Sequence, residues 1–234
     1  MAQLKAPYIK LLDERGDINI WIVDGIFIRN SIDEEFTNYG QHYRFPYIPK
    51  DEFWLDREAA QNEQQFFIDH LLLEHRLMEK GMSYDKALDL ADHAEHKERR
   101  LAGDLAHFTR HGGLQREATQ VHEQFWTKVQ NGASVWIVNG RLVRSLFDID
   151  FTEGGHDKVY KFVPENEVWI DDDVEKEERG YVLLHELHER NLMLQGIKYN
   201  KAHAESSRLE YRCRHYPNEL TGALKAEGCD IDPK

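Results

Sequence analysis

One stretch of the chain concentrates residues able to do chemistry: Glu178-Arg-Gly-Tyr-Val-Leu-Leu-His185-Glu186-Leu-His188-Glu189. Glu178, His185 and Glu189 stand at i, i+7 and i+11. At about 3.6 residues per turn they share one helix face. An imidazole and a carboxylate four residues apart on such a face reach a single divalent cation. Glu210 lies 21 residues beyond Glu189, a separation that a helix hairpin folds back onto the first helix. His203 stands seven residues before Glu210, on the same face as it. The candidate ligands are therefore His185, Glu189, Glu210, Glu178, His188 and His203, with Glu186 as a candidate proton acceptor. The same residues have a second, metal-free reading. A histidine between two glutamates is satisfied by charge-assisted hydrogen bonds alone.

The run His185-Glu186-Leu187-His188-Glu189 resembles a variant of the His-Glu-x-x-His motif of zincin metallopeptidases. The nearest branch takes its third ligand from a Glu on the next helix. The resemblance implies His185 and Glu210 as zinc ligands and Glu186 as general base. The chain departs from the motif at Glu189, where the family has its second His. A carboxylate there can still bind zinc but weakens the Lewis acid, and it suits iron or manganese better. The function implied is a metal-dependent, peptidase-like hydrolase acting on a peptide or a small molecule. A non-enzymatic binding or assembly protein, with His/Glu clusters as structural networks, is the alternative. A redox iron site would use the same ligands but needs two ions close together.

The elements positioning these residues occur twice. A gapless shift of 115 residues lays 18–99 on 133–214, with about 25 of roughly 82 positions identical. Trp21-Ile22-Val23 falls on Trp136-Ile137-Val138, Trp54 on Trp169, His70 on His185, Glu74 on Glu189 and Glu95 on Glu210. Glu186, His188 and His203 have Leu71, Leu73 and Leu88 opposite them. The first copy thus lacks the candidate base and two of the imidazoles. An active second copy beside a scaffold first copy is expected.

The expected fold is α+β, a tandem duplication of two β-hairpins followed by a helix hairpin, packed with pseudo-two-fold symmetry. Ile18–Val23 alternates as a strand, and Asp24-Gly25 (Asn139-Gly140 in copy two) reads as a hairpin turn into 26–28. A second strand pair is expected over 43–48 and 52–56, turning at Pro49, with Pro46 marking an edge. Its counterpart is 159–163 and 167–171. A helix follows from near Glu58 (Glu175), with Gly81 (Gly196) just past its end. A second begins near Ser83 (Lys198), where Ser83 can cap. Arg29 and Arg144 are expected to pair with Asp33 and Asp148, and His42 and His156 to lie at the surface. The expected divisions are 1–100, a helical connector 101–132 with a helix over 114–130, 133–215, and a patternless tail 216–234.

The bulk numbers set limits on partners. The 234 residues carry a net charge of −13. Nucleic acid and anionic membrane both call for basic clusters, so neither is expected as a partner. No apolar run approaches the roughly 20 residues of a membrane span, and the first residues lack a secretory pattern. A cytoplasmic location is expected. Cys213 and Cys229 have no zinc-finger spacing and make no disulfide framework.

Overall fold

The computed structural model describes residues 5–102 and 118–231. The chain divides into two compact units, Met1–His107 and Phe108–Lys234.

The first unit runs β1 (Tyr8–Arg15), β2 (Ile18–Val23), α1 (Gly25–Ser31), β3 (Tyr39–Gln41), β4 (Glu52–Asp56), α2 (Gln64–Glu79) and α3 (Tyr84–Leu101). Its sheet has the order β1-β2-β4-β3. The outer pairs are antiparallel and the central pair, β2 with β4, is parallel. A strand pair buried in the middle of a sheet needs apolar side chains on both faces. Ile20, Ile22, Phe53 and Leu55 accordingly meet Phe67, Ile68 and Leu71 of α2 on one face. Val23 and Trp54 meet Ile28, Phe36 and Phe45 on the other.

The second unit repeats this plan with β5 (His122–Lys128), β6 (Ser134–Val138), α4 (Gly140–Leu146), β7 (Gly154–His156), β8 (Glu167–Asp171), α5 (Arg179–Leu194) and α6 (Tyr199–His215). The order is β5-β6-β8-β7 with the same pair directions. Each copy is thus two antiparallel strand pairs followed by a helix hairpin, as the sequence implied, but several strands lie elsewhere than expected.

Asp24-Gly25 is not a hairpin turn. The Asp24 side chain accepts from Phe27 N at the start of α1, as Asn139 does from Leu142 N in α4. The residues after the glycine are helical, and the hairpin partner of β2 precedes it as β1. The gapless alignment misses β1 and β5 because the turn after β5 is one residue longer. Tyr8 pairs with Val23 and His122 with Val138, so this strand is offset by 114 rather than 115. The helix expected over 114–130 falls partly on residues outside the description; from His122 to Lys128 its span is strand β5. Residues 43–48 and 159–163 form turns, and the strand pairing with β4 or β8 comes earlier, over 39–41 or 154–156. The helices begin at Gln64 and Arg179, later than expected.

Arg29 and Arg144 lie in α1 and α4, fully buried, and pair with Asp56 and Asp171 at 2.7 and 2.5 Å rather than with Asp33 and Asp148. A buried guanidinium demands a carboxylate at its own depth, and the loop aspartates do not reach it. The tail is structured too. A 3-10 turn (Pro217–Glu219) leads into α7 (Leu220–Ala226), whose Leu220 and Leu224 join Cys213 and Cys229 in the core against α5. Both cysteines are free and buried. No described helix is long and apolar enough to cross a membrane.

Candidate metal centre

The α5–α6 hairpin reverses at Gly196, whose φ of 87° suits a residue without Cβ. The reversal lays His203 and Glu210 of α6 against His185 and Glu189 of α5. His185 Nδ1 lies 2.9 Å from Glu210 Oε2. A carboxylate only accepts, so Nδ1 carries a proton, and Nε2 faces the other way. There it meets His203 Nδ1 at 3.1 Å and Glu189 Oε2 at 3.7 Å. His203 Nδ1 and Glu189 Oε2 are 2.9 Å apart and close the triangle. An ion with tetrahedral bonds of about 2.0–2.1 Å separates its ligands by roughly 3.3 Å, close to these three edges. A proton shared among these atoms also satisfies them, and a cation would take its place.

The surroundings hold this triangle in position. Glu210 Oε1 accepts from Arg214 at 2.9 and 2.8 Å, leaving Oε2 for His185. This carboxylate-to-histidine contact is the usual outer support of a metal-bound imidazole. Burial opposes the charged His185 ring, but Glu189 and Glu210 outweigh it and raise its pKa well above the ordinary range, so a cation binding at Nε2 would displace a proton from it. Glu189 resists burial in the opposite sense: bonds from His156, His185 and His203 hold its carboxyl far below the ordinary range.

Not all the predicted ligands join this group. Glu178 sits at the N-terminal boundary of α5 and is bonded to Arg214 Nη1 at 2.5 Å. Glu210 stands behind His185 rather than in the triangle. His188 points to Glu227 Oε1 at 2.8 Å and ties α5 to the end of α7. Helical spacing placed these residues on adjacent faces but could not show which arginine or glutamate lay opposite each.

His156 is the site residue the sequence misplaced. It is fully buried rather than exposed, and its Nε2 lies 3.0 Å from Glu189 Oε1. The Lys158 backbone N–H donates to His156 Nδ1 at 3.1 Å. Nδ1 is therefore an acceptor and Nε2 carries the hydrogen. His156, Glu186 and Glu189 do bring one ligand-type atom each within 4.8 Å of one another. That tautomer nonetheless makes His156 a donor that fixes Glu189, not a ligand. In the first unit Gln41 takes the same place and donates to Glu74 Oε1. The signal was a hydrogen-bond donor following the shared glycine in both copies, Gly40-Gln41 and Gly155-His156.

Glu186 lies beside the triangle and lines a cavity of about 140 Å³ with Thr152, Gly154, Tyr160, Glu189 and His203. No hydrogen bond ties its carboxylate to a described side chain, and burial raises its pKa. A third acidic group, Asp171–Asp173, is engaged by the guanidinium of Arg144.

The first unit shows the same scaffold without the triangle. His70 Nδ1 is 2.9 Å from Glu95, which also receives Arg99, while His70 Nε2 stands 3.5 Å from Glu74. Leucines replace Glu186 and His203, so the third vertex is missing. Comparison of the chain with protein-family models, with curated proteins and with solved structures gives no match.

Proposed function

We propose that the second unit binds one divalent ion on His185 Nε2, His203 Nδ1 and Glu189 Oε2 and uses it to hydrolyse a small polar molecule. The observation that carries this reading is the convergence of those three atoms, with edges of 2.9–3.7 Å, at a cavity lined by Glu186. Three protein ligands with a fourth position open are the form of a catalytic rather than a structural zinc site. Two imidazoles and one carboxylate also suit iron or manganese. Relative to the zincin motif, the carboxylate and the second imidazole exchange helices. Glu189 supplies the oxygen on α5 and His203 the nitrogen on α6. Glu210 becomes the outer support of His185.

An ion held by these residues would lower the pKa of a bound water. Glu186 would take that water's proton as its oxygen bonds to the substrate's carbonyl carbon. Glu186 then returns that proton to the leaving group as its bond to carbon breaks. A carboxyl raised by burial is suited to both transfers near neutral pH. The cavity is smaller than the roughly 300–1,000 Å³ of drug-sized sites, which favours a small molecule over a peptide.

Metal analysis of the zinc-loaded, dialysed chain tests the proposal. About one ion per chain is expected, lost in His185→Ala, His203→Ala and Glu189→Gln. Glu186→Gln should keep the ion and lose roughly 10²–10⁴-fold in turnover across small esters and amides. Metal content unchanged in His185→Ala would defeat the reading.

A further inference from the structure

The two copies differ most informatively at a position outside the ligand set. Gly154 of β7 pairs with Ile170, and its counterpart Tyr39 of β3 pairs with Leu55. The same register therefore carries a tyrosine in one unit and no side chain in the other. The Tyr39 ring packs 4.5 Å from the Phe67 ring and 5.4 Å from the His70 ring, centroid to centroid. The counterparts of those partners are Val182 and His185. The space beside His70 is thus filled by an aromatic ring, whereas the space beside His185 is the cavity. A Cβ built on Gly154 would come within 3.0 Å of Val182 Cγ1, 3.1 Å of Glu186 Cγ and 3.1 Å of the Trp169 carbonyl oxygen. These contacts are tighter than ordinary packing, and the backbone oxygen cannot swing aside.

We infer that the cavity bordered by Gly154, Glu186 and His203 is the substrate subsite of the proposed centre. It admits one small oxygen-donor ligand, a carbonyl or carboxylate compound of about six heavy atoms, to the open coordination position beside Glu186. The inference rests on the metal-site reading above. The size limit follows from volume, since a cavity of about 150 Å³ holds a molecule the size of benzene, against about 140 Å³ here. The polarity follows from the lining, where Thr152, Tyr160, Glu186 and His203 surround the space. Tyr39→Gly154 and Leu71→Glu186 are neighbouring differences between the copies. Together they exchange a ring and an aliphatic chain for an opening with a carboxylate at its side.

The test uses the full chain loaded with Co(II), whose visible absorption reports changes in coordination. Acetohydroxamate should bind and shift the spectrum, and benzohydroxamate should bind at least about tenfold more weakly because its ring exceeds the cavity. Gly154→Ala should retain Co(II) at the parent stoichiometry and weaken acetohydroxamate about tenfold or more. Equal binding of the two hydroxamates, or unchanged acetohydroxamate binding in Gly154→Ala, overturns the subsite while leaving the metal centre standing. If the unsubstituted chain takes up no Co(II), both readings fall. The comparison of the two probes needs no variant, so a misfolded Gly154→Ala does not shield the inference.

Discussion

His70 and His185 occupy equivalent positions, yet their neighbours give them different work. In the first unit, burial alone would favour neutral His70, but Glu74 and Glu95 push its pKa up to about 9. A pKa raised above the ordinary value of about 6.5 contributes stability that is fully present below that value. The contribution is lost as pH rises through about 9. Denaturant midpoints of the first unit should therefore fall between pH 7 and 10, and His70→Gln should flatten that dependence. A slope unchanged in the variant would assign the effect to other groups. For His156 the first copy supplies the conservative replacement. His156→Gln should preserve zinc affinity within a few-fold, because Gln41 already performs the same donation to Glu74. His156→Leu leaves Glu189 Oε1 without its donor and should cost roughly 10–100-fold, read by competition with a chelator. Equal affinities in the two variants would show that the donation does not matter.

At the scale of elements, the small helices α1 and α7 do more than their length suggests. The Asp24 carboxylate caps α1 by accepting from Phe27 N at 3.1 Å. Asp24→Ala should cost the first unit about 1 kcal/mol. An Asp in a hairpin turn would show little loss, so chemical denaturation distinguishes the two roles. α7 closes the second core with Leu224 fully buried. Leu224→Ala should destabilise the second unit by about 2–5 kcal/mol through lost burial and the cavity left behind. A change near zero would mean that α7 is not part of that core in solution. The His188–Glu227 contact fixes the end of α7 on α5, the element carrying His185 and Glu189.

For the molecule as a whole, duplication places a His/Glu network and the proposed centre in one chain. A ligand that binds only the folded form stabilises the unit that holds it. Zinc at about 100 times its dissociation constant should add about 2.7 kcal/mol to the second unit. The first unit's transition should stay where it was, because Leu71 and Leu88 give it no third vertex. Calorimetry with and without chelator reads both transitions, and an equal shift in both would contradict a site confined to one copy.

The sequence by itself determined the duplication, the helix hairpins, the glycines that reverse them and the shared helix face of His185 and Glu189. These follow from local periodicity and from repetition of scarce residue types, which need no knowledge of long-range contacts. Even the contrast between Glu186 and Leu71, or His203 and Leu88, was legible by aligning the copies. Only the tertiary structure decided which groups face one another. It engaged Glu178 with Arg214, turned His188 toward Glu227 and set Glu210 behind His185. It also buried His156 against Glu189 and left a cavity bordered by Gly154, the counterpart of Tyr39. Each of these outcomes depends on partners 25 to 39 residues away in the chain or on the neighbouring strand. Helical spacing fixes a side chain's direction from its own axis, whereas strand register and helix crossing fix what it meets there.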